Sequence, residues 1–427
     1  MKSTGLGSIL FELLVDKPDG SEGLSDEAKA HEPRSFLRHA AALAMTKLSD
    51  GLIDPKLVLS WLLSSLGAPA FFVGLLVPIR EAGALLPQLA LASWVEGMRR
   101  RKWAWVAGAI GQGVSAVAIL IFALSFEGAL AGGLICLALA VLALSRSLCS
   151  VSYKDILGDT VAQNHRGSAT GTASSFASAG VIVFALLLMS GVFEREWLVL
   201  ASIGLAACLW GLAALIMAGL HEEGGERSAE RLNPLSQFGI LREDAQLRRF
   251  IFTRGLLVST ALAPPYMILL AGSEGALSQL GALVLASALA SLLSSYVWGR
   301  MSDRSSRRVL QLSGVSGAAA LIVTLGFSAL GVLESVWALP LALFGLMIAY
   351  HGVRQGRSTY LVDMAPEGQR ASYSAVSNTV IGALLLVSGA FGAVAGLVGP
   401  AATLMVFAAM AVAAAVVASG LDEVESA

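Results

Sequence analysis

Long stretches without a charge alternate with short polar knots along this chain. Leu57 to Ile79, Trp103 to Phe126, Gly167 to Phe193 and Trp197 to Leu220 contain no Asp, Glu, Lys or Arg. About 20 apolar residues, at 1.5 Å each, cross a bilayer. The pattern predicts twelve membrane helices, near 56–79, 80–98, 103–126, 129–153, 168–192, 197–219, 251–272, 276–299, 308–332, 336–359, 371–395 and 400–420. The last two share one uncharged run, Ala371 to Leu421, which GLVGP at 396–400 divides with a turn. Ahead of them, RSFLRHAAALAMTKL places Phe36, Leu37, Ala40, Leu43, Ala44 and Leu48 at helical spacing. That predicts an amphipathic helix on the membrane face or against the protein. The expected organisation is a cytosolic segment over 1–51, a six-helix bundle over 52–220, and a loop over 221–250. A second bundle follows over 251–420, with a tail over 421–427. The fold class is an all-α polytopic membrane protein.

Composition agrees. The chain is 56% hydrophobic and 14% charged, against about 25% charged in globular proteins. A net charge of -1 without a basic tail points to no nucleic-acid partner. Cys136, Cys149 and Cys208 sit in apolar runs without metal-ligand spacing, so no metal or cofactor is expected and no oligomer is implied. The opening MKSTGLGSILFELLV is broken by Glu12 and lacks a cleavage site, which argues against a signal peptide. Of 29 lysines and arginines, only Arg80 and Arg195 fall at the alternate set of loops. Positive charge gathers on the cytosolic side of membrane proteins. Both termini and the 221–250 loop are therefore expected in the cytosol. The outer loops are short and acidic: Glu127, Glu194, Glu196, Glu274 and Glu334. The abundant Ala and Gly fit a bacterial inner membrane.

The two halves repeat one another. GDTVAQNHRGSATG after span four parallels VDMAPEGQRASYSA after span ten, with Asp159 to Arg166 and Asp363 to Arg370 at the same offset. MRRRKW (98–103) after span two parallels GRMSDRSSRR (299–308) after span eight. Duplication of this kind builds a central site at the repeat interface. GRMSDRSSRR resembles the Gly-x-Leu-x-Asp-Arg-x-Gly-Arg-Arg loop of the major facilitator superfamily. Gly299, Asp303, Arg304, Arg307 and Arg308 match, Met301 replaces Leu, and Ser306 stands at a glycine. The first-half copy, LASWVEGMRRRKW, keeps its arginines, with Glu96 in place of the aspartate. Arg146, in LALSRSLCSVSYKD, is similar to the arginine this family often carries in span four, with Ser150 at its glycine. The resemblance covers roughly 52–420. It implies two bundles rocking about a central site, and a cytosolic latch made by Gly299, Asp303, Arg304, Arg307, Arg308, Asp159 and Asp363. Span five lacks the Gly-Pro pair of the family's drug antiporters.

A charge deep in a bilayer costs at least about 2.5 kcal/mol and asks for a partner, a wet cavity or a function. Arg146 and Arg354 lie in spans four and ten, with Arg254 and Arg357 nearby in spans seven and ten. In the family, spans one, four, seven and ten line the cavity. Two readings stand: contact with an anionic or zwitterionic substrate, or snorkelling to cytosolic headgroups. Arg80 and Glu81 are expected at the outer start of span two, where Glu81 either carries a coupling proton or closes a structural ion pair. Gln88, Ser64, Ser65, Asn378, and Tyr266 beside Pro264-Pro265 are cavity candidates; His351 is a relay or a packed neutral ring. No His-Glu-x-x-His, Gly-x-Ser-x-Gly or phosphate loop is present, which argues against an enzyme or an ATP-driven pump. The reading is a monomeric secondary transporter of a small, anionic or amphiphilic solute in a lipid bilayer, coupled to protons or another ion. The alternative is a transporter-like sensor or lipid-handling protein.

Overall fold

The computed structural model describes residues 11, 14–15, 26–162, 165–222, 236–302, 304–366 and 369–424. Helices joined end to end across a kink make twelve rods among the described residues. They are α1 (Asp26–Leu52 and Val58–Ser65), α2 (Ala70–Leu85 and Gln88–Glu96), α3 (Lys102–Ser125), α4 (Gly128–Thr160), α5 (Arg166–Ser190) and α6 (Arg195–Ala218). Next come α7 (Ala245–Gly272) and α8 (273–302), which meet at non-helical Gly272. The last four are α9 (Ser306–Ala329), α10 (Ala338–Met364), α11 (Arg370–Ser388 and Ala390–Val398) and α12 (Pro400–Ala418). Eight of these rods are long and apolar enough to cross a membrane by length and composition. The other four are α1, α2, α8 and α10. α1 and α2 are each broken into two helices, of 27 and 8 residues and of 16 and 9 residues, and α10 carries Arg354 and Arg357.

An even number of rods leaves both ends of the chain at one face, here the terminal face. At the opposite, distal face every hairpin holds one glycine with positive φ: Gly67, Gly128, Gly191, Gly272, Gly331 and Gly399. A side chain resists that conformation, and glycine permits turns this tight. Around the outside, Val114, Ile121, Leu137, Val141, Val183, Leu186 and Leu215 stand exposed. Such an apolar surface suits hydrocarbon, where helices satisfy their own backbone. The chain is an integral, multi-pass membrane protein.

The first two spans correct the sequence reading. The uncharged run Leu57–Ile79 is not one crossing but a hairpin turning at Gly67–Pro69, with the Gly128 amide donating to Leu66 O at 2.8 Å. The amphipathic helix expected over 34–48, on the membrane face or against the protein, lies against the protein as the terminal-side part of α1. Phe36, Ala40 and Ala42 are buried there. Leu48 meets Gly180 of α5, and Ser49 Oγ donates to Ala206 O of α6 at 3.1 Å. Charge-free runs mislocate these spans because Asp50, Asp54, Lys56, Arg80 and Glu81 lie within the rods α1 and α2, where Asp50 pairs with Arg80 and Lys56 with Glu81. Arg80 and Glu81 consequently sit midway along α2, not at its outer start.

The repeat also appears in the contacts at the terminal face. After α6, Gly219 O accepts from Arg38, and Glu222 accepts from the amides of Arg101 and Lys102 at 2.9 Å each. After α12, Gly420 O accepts from Arg249, and Glu423 pairs with Arg307 at 2.8 Å and accepts from Ser305 Oγ at 2.8 Å. Both turns read Gly-Leu-x-Glu, at 219–222 and 420–423.

Candidate functional site

The break in α1 creates the site. Pro55 has no amide to donate, so the helix stops. The Asp54 carboxylate accepts from the amides of Lys56 (2.7 Å) and Leu57 (3.1 Å), and Ser60 Oγ donates to Pro55 O at 2.7 Å. Backbone freed at membrane depth is thereby satisfied. The turn sets Asp50 just before the break and Lys56 just after it.

Asp50 joins three helices. One oxygen accepts from Arg80 of α2 at 2.7 Å, and the other takes the guanidinium of Arg146 of α4. Arg146 remains 38% exposed and Asp50 20%, so solvent reaches this pair. A carboxylate shared by two guanidiniums gains charge-assisted hydrogen bonds on both sides. On the same helix, Lys47 donates to Ser174 Oγ of α5. Glu81 lies 4.0 Å from the Lys56 ammonium.

The second half faces this cluster. Lys56 Nζ sits 3.9 Å from the ring centroid of Tyr350 on α10, a cation–π contact between the halves. Arg354, one helical turn further on, is exposed and within electrostatic reach of Lys47. Glu81 is within reach of Arg357 and Arg354 as well as Lys56 and Arg80. Behind them Arg254 of α7, 4% exposed, donates to Ser377 Oγ at 2.8 Å and to Asn378 Oδ1 at 3.0 Å on α11. Among the described residues Lys47, Arg254, Arg354 and Arg357 have no carboxylate within ion-pair distance.

On the distal side of this cluster the halves are pressed shut. A Cβ added to Gly74 of α2 would come within 2.6 Å of Gly392 Cα on α11, so the two backbones touch. Gly281 of α8 packs as closely on Ala185, Leu188 and Met189 of α5. Tyr266 belongs to this seal: it is 1% exposed, reaches Gly74 with its hydroxyl and meets Phe407 edge-on.

The sequence candidates therefore divide. Arg146, Arg354, Glu81 and Asn378 converge on the site. Tyr266 instead sits in the distal seal. Gln88 Nε2 turns back to Ala84 O of its own helix at 2.8 Å, and Ser64 and Ser65 also bond within theirs. His351 is half-buried, its ring 5.4 Å from that of the adjacent Tyr350. Arg307 and Arg308 meet Glu423, within their own half. Gly299 lies inside α8, Arg304 is exposed beyond its end, and Asp159 and Asp363 occupy equivalent positions in the last turns of α4 and α10. Asp303 lies outside the described residues. Sequence reasoning missed Lys47, Asp50, Asp54 and Lys56 by assigning them to the cytosolic side. The signals were present: the helix-breaking Asp54-Pro55-Lys56 at the edge of an apolar run, and Arg80 as an isolated positive charge on the wrong face.

No protein-family profile and no curated protein sequence matches the chain. Solved structures do. The nucleoside transporter NupG aligns with TM-score 0.68 at 14% identity, over 90% of this chain and 98% of that one. A D-xylose-proton symporter aligns with TM-score 0.65 at 14% identity, over 92% and 98%. A POT family transporter in complex with 5-aminolevulinic acid aligns with TM-score 0.68 at 13% identity, over 90% and 95%. The fold is that of the major facilitator superfamily. In major facilitator terms, the charged cluster occupies the seam between the two six-helix halves, at the level where α1 and α2 are broken or bent. Identities this low carry the architecture and leave the chemistry to this chain's own residues.

Proposed function

We propose that this protein is a secondary transporter that moves a small anionic solute by alternating access, driven by the movement of a second ion. The observation behind this reading is the charged seam: Asp50, Arg80, Glu81 and Arg146 of one half face Arg254, Arg354 and Arg357 of the other, partly open to solvent at mid-membrane. Charges there are expensive and mark solute or ion pathways. The closed distal seal, opposite the face that carries both termini, fits a state open on the terminal side. With the positive-inside distribution, that side is the cytosol and the membrane a bacterial inner membrane. The neighbours' cargoes are varied (a nucleoside transporter, a xylose-proton symporter, a transporter seen with 5-aminolevulinic acid) and agree on small solutes. The loop holding Asp303 and Arg304 is assigned the cytosolic latch between the halves; Asp303→Asn is expected to slow transport without loss of insertion.

The direct test compares solutes inside and outside three strains: one lacking the protein, one over-producing it, and one over-producing Arg146→Ala. A compound that moves with the native protein and not with the variant names the cargo and its direction. Equal distributions in all three strains would remove the transport reading.

A further inference from the structure

The charge at the seam is unbalanced, and unbalanced in a particular direction. Among the described residues, seven cationic side chains, Lys47, Lys56, Arg80, Arg146, Arg254, Arg354 and Arg357, gather with three carboxylates, Asp50, Asp54 and Glu81. The excess is four positive charges. All three carboxylates belong to the first half. Asp54 is committed to backbone amides, and Asp50 to Arg80 and Arg146. In the wall contributed by the second half, Arg254, Arg354 and Arg357 have no carboxylate of that half within ion-pair distance among the described residues.

Two consequences follow from electrostatics. Unit cations in a low-dielectric space repel strongly, so the excess stands only where water or an anion balances it. A single negative charge would leave most of it in place, whereas an anion with two or more charges can engage both walls at once. Arginine suits this, because its planar fork matches carboxylate and phosphate oxygens. The halves already meet at this level, where Lys56 Nζ sits 3.9 Å from the Tyr350 ring one helical turn before Arg354. Closing the terminal side brings the two walls nearer and expels the water between them. Without an anion, that step forces cations together; with one, they bridge through it.

We propose that the protein is an obligate exchanger of small organic or inorganic oxyanions carrying at least two negative charges. The empty carrier is held from closing by repulsion between Lys47 and Arg146 of the first half and Arg354 and Arg357 of the second. The second ion of the transport reading is then a second anion, taken from the opposite side. This rests on the alternating-access reading and names its cargo class and its coupling.

The test uses the full chain, purified and reconstituted. First, thermal unfolding is measured with phosphate, sulfate or succinate at neutral pH, against acetate, chloride, xylose and uridine at matched ionic strength. The dianions are expected to raise Tm and the others not. Second, uptake of radiolabelled phosphate is compared between vesicles loaded with unlabelled phosphate and vesicles without it. Uptake is expected to be at least tenfold faster into loaded vesicles. Third, Arg354→Gln is measured in both: relief of repulsion should raise uptake into unloaded vesicles to within about twofold of the loaded rate. Equal uptake by the native protein into both kinds of vesicle overturns obligate exchange. Transport of xylose or uridine with no stabilisation by dianions overturns the anion assignment and leaves alternating access standing. Dianion stabilisation without any exchange overturns the exchanger and the transport reading together.

Discussion

Replacing Asp50 with asparagine isolates the central contact of the first half. The native carboxylate joins Arg80 at 2.7 Å and Arg146 through its other oxygen. Asparagine keeps the shape and one acceptor, and removes the charge that two guanidiniums share. Breaking a fully buried ion pair from one side costs about 3–5 kcal/mol. Here Arg80 is 12% exposed, Asp50 20% and Arg146 38%, and solvent screens such groups. A loss of about 2–3 kcal/mol is therefore expected. At about 2–4 °C per kcal/mol for a unit of 150–250 residues, Tm in detergent should fall by about 4–12 °C. The companion measurement is a double-mutant cycle with Arg80→Gln. If Asp50 holds Arg80 in place, the second substitution should add little to the first, with a coupling of about 1–2 kcal/mol. A Tm change under 1 °C for Asp50→Asn, or strict additivity in the cycle, would refute the bridging role. Rescue by Asp50→Glu separates charge from shape.

Other contacts give independent checks. Gly392→Val drives a branched side chain into Phe71 O, 2.7 Å from the added Cβ. Overpacking by about 1–3 kcal/mol should prise the distal seal apart, seen as new labelling of a cysteine placed at 75 by an impermeant thiol reagent. Arg254→Gln loses its bonds to Ser377 and Asn378; transport should fall at least tenfold, while Asn378→Ala should cost about 1 kcal/mol of stability. Glu222→Gln, 5% exposed and bonded to two amides, should lower Tm by more than Glu423→Gln, whose pair with Arg307 is 27% and 39% exposed.

The eight rods long and apolar enough to cross a membrane were legible because each contains a long uncharged run. The break between α11 and α12 came from GLVGP alone, and Pro400 does begin α12. The first two spans were not legible by that rule. It assumes that charges lie outside the spans, and Asp50, Asp54, Lys56, Arg80 and Glu81 lie within the rods α1 and α2. What makes them tolerable is pairing over distances of 30 and 96 residues, from Asp50 to Arg80 and Arg146, and no local window sees such pairs. Arg146 and Arg354 were readable as deep charges; Asp50, the partner of Arg146, was not, so the site emerged with its arginines named and its central carboxylate missing. Tyr266 and Gln88 show the converse limit. Both are polar groups in the right spans, and only the helix rotation decides that one enters the seal and the other bonds its own turn. The Gly-Leu-x-Glu turns were visible as text in both halves, but their meaning depends on the arginines folded against them.

The tight distal hairpins also determine what reagents can see. The chain has seven lysines, at 2, 17, 29, 47, 56, 102 and 154, and none falls in a distal turn. With Arg195 as the lone basic residue on that face, amine-reactive surface labels and trypsin applied from that side have almost nothing to attack. If that face is the outer one, as proposed above, intact cells would report the protein as missing from a biotinylated surface fraction even when it is abundant. A lysine introduced beside Gly331 would restore the signal, and its labelling would fix the orientation of every helix at once.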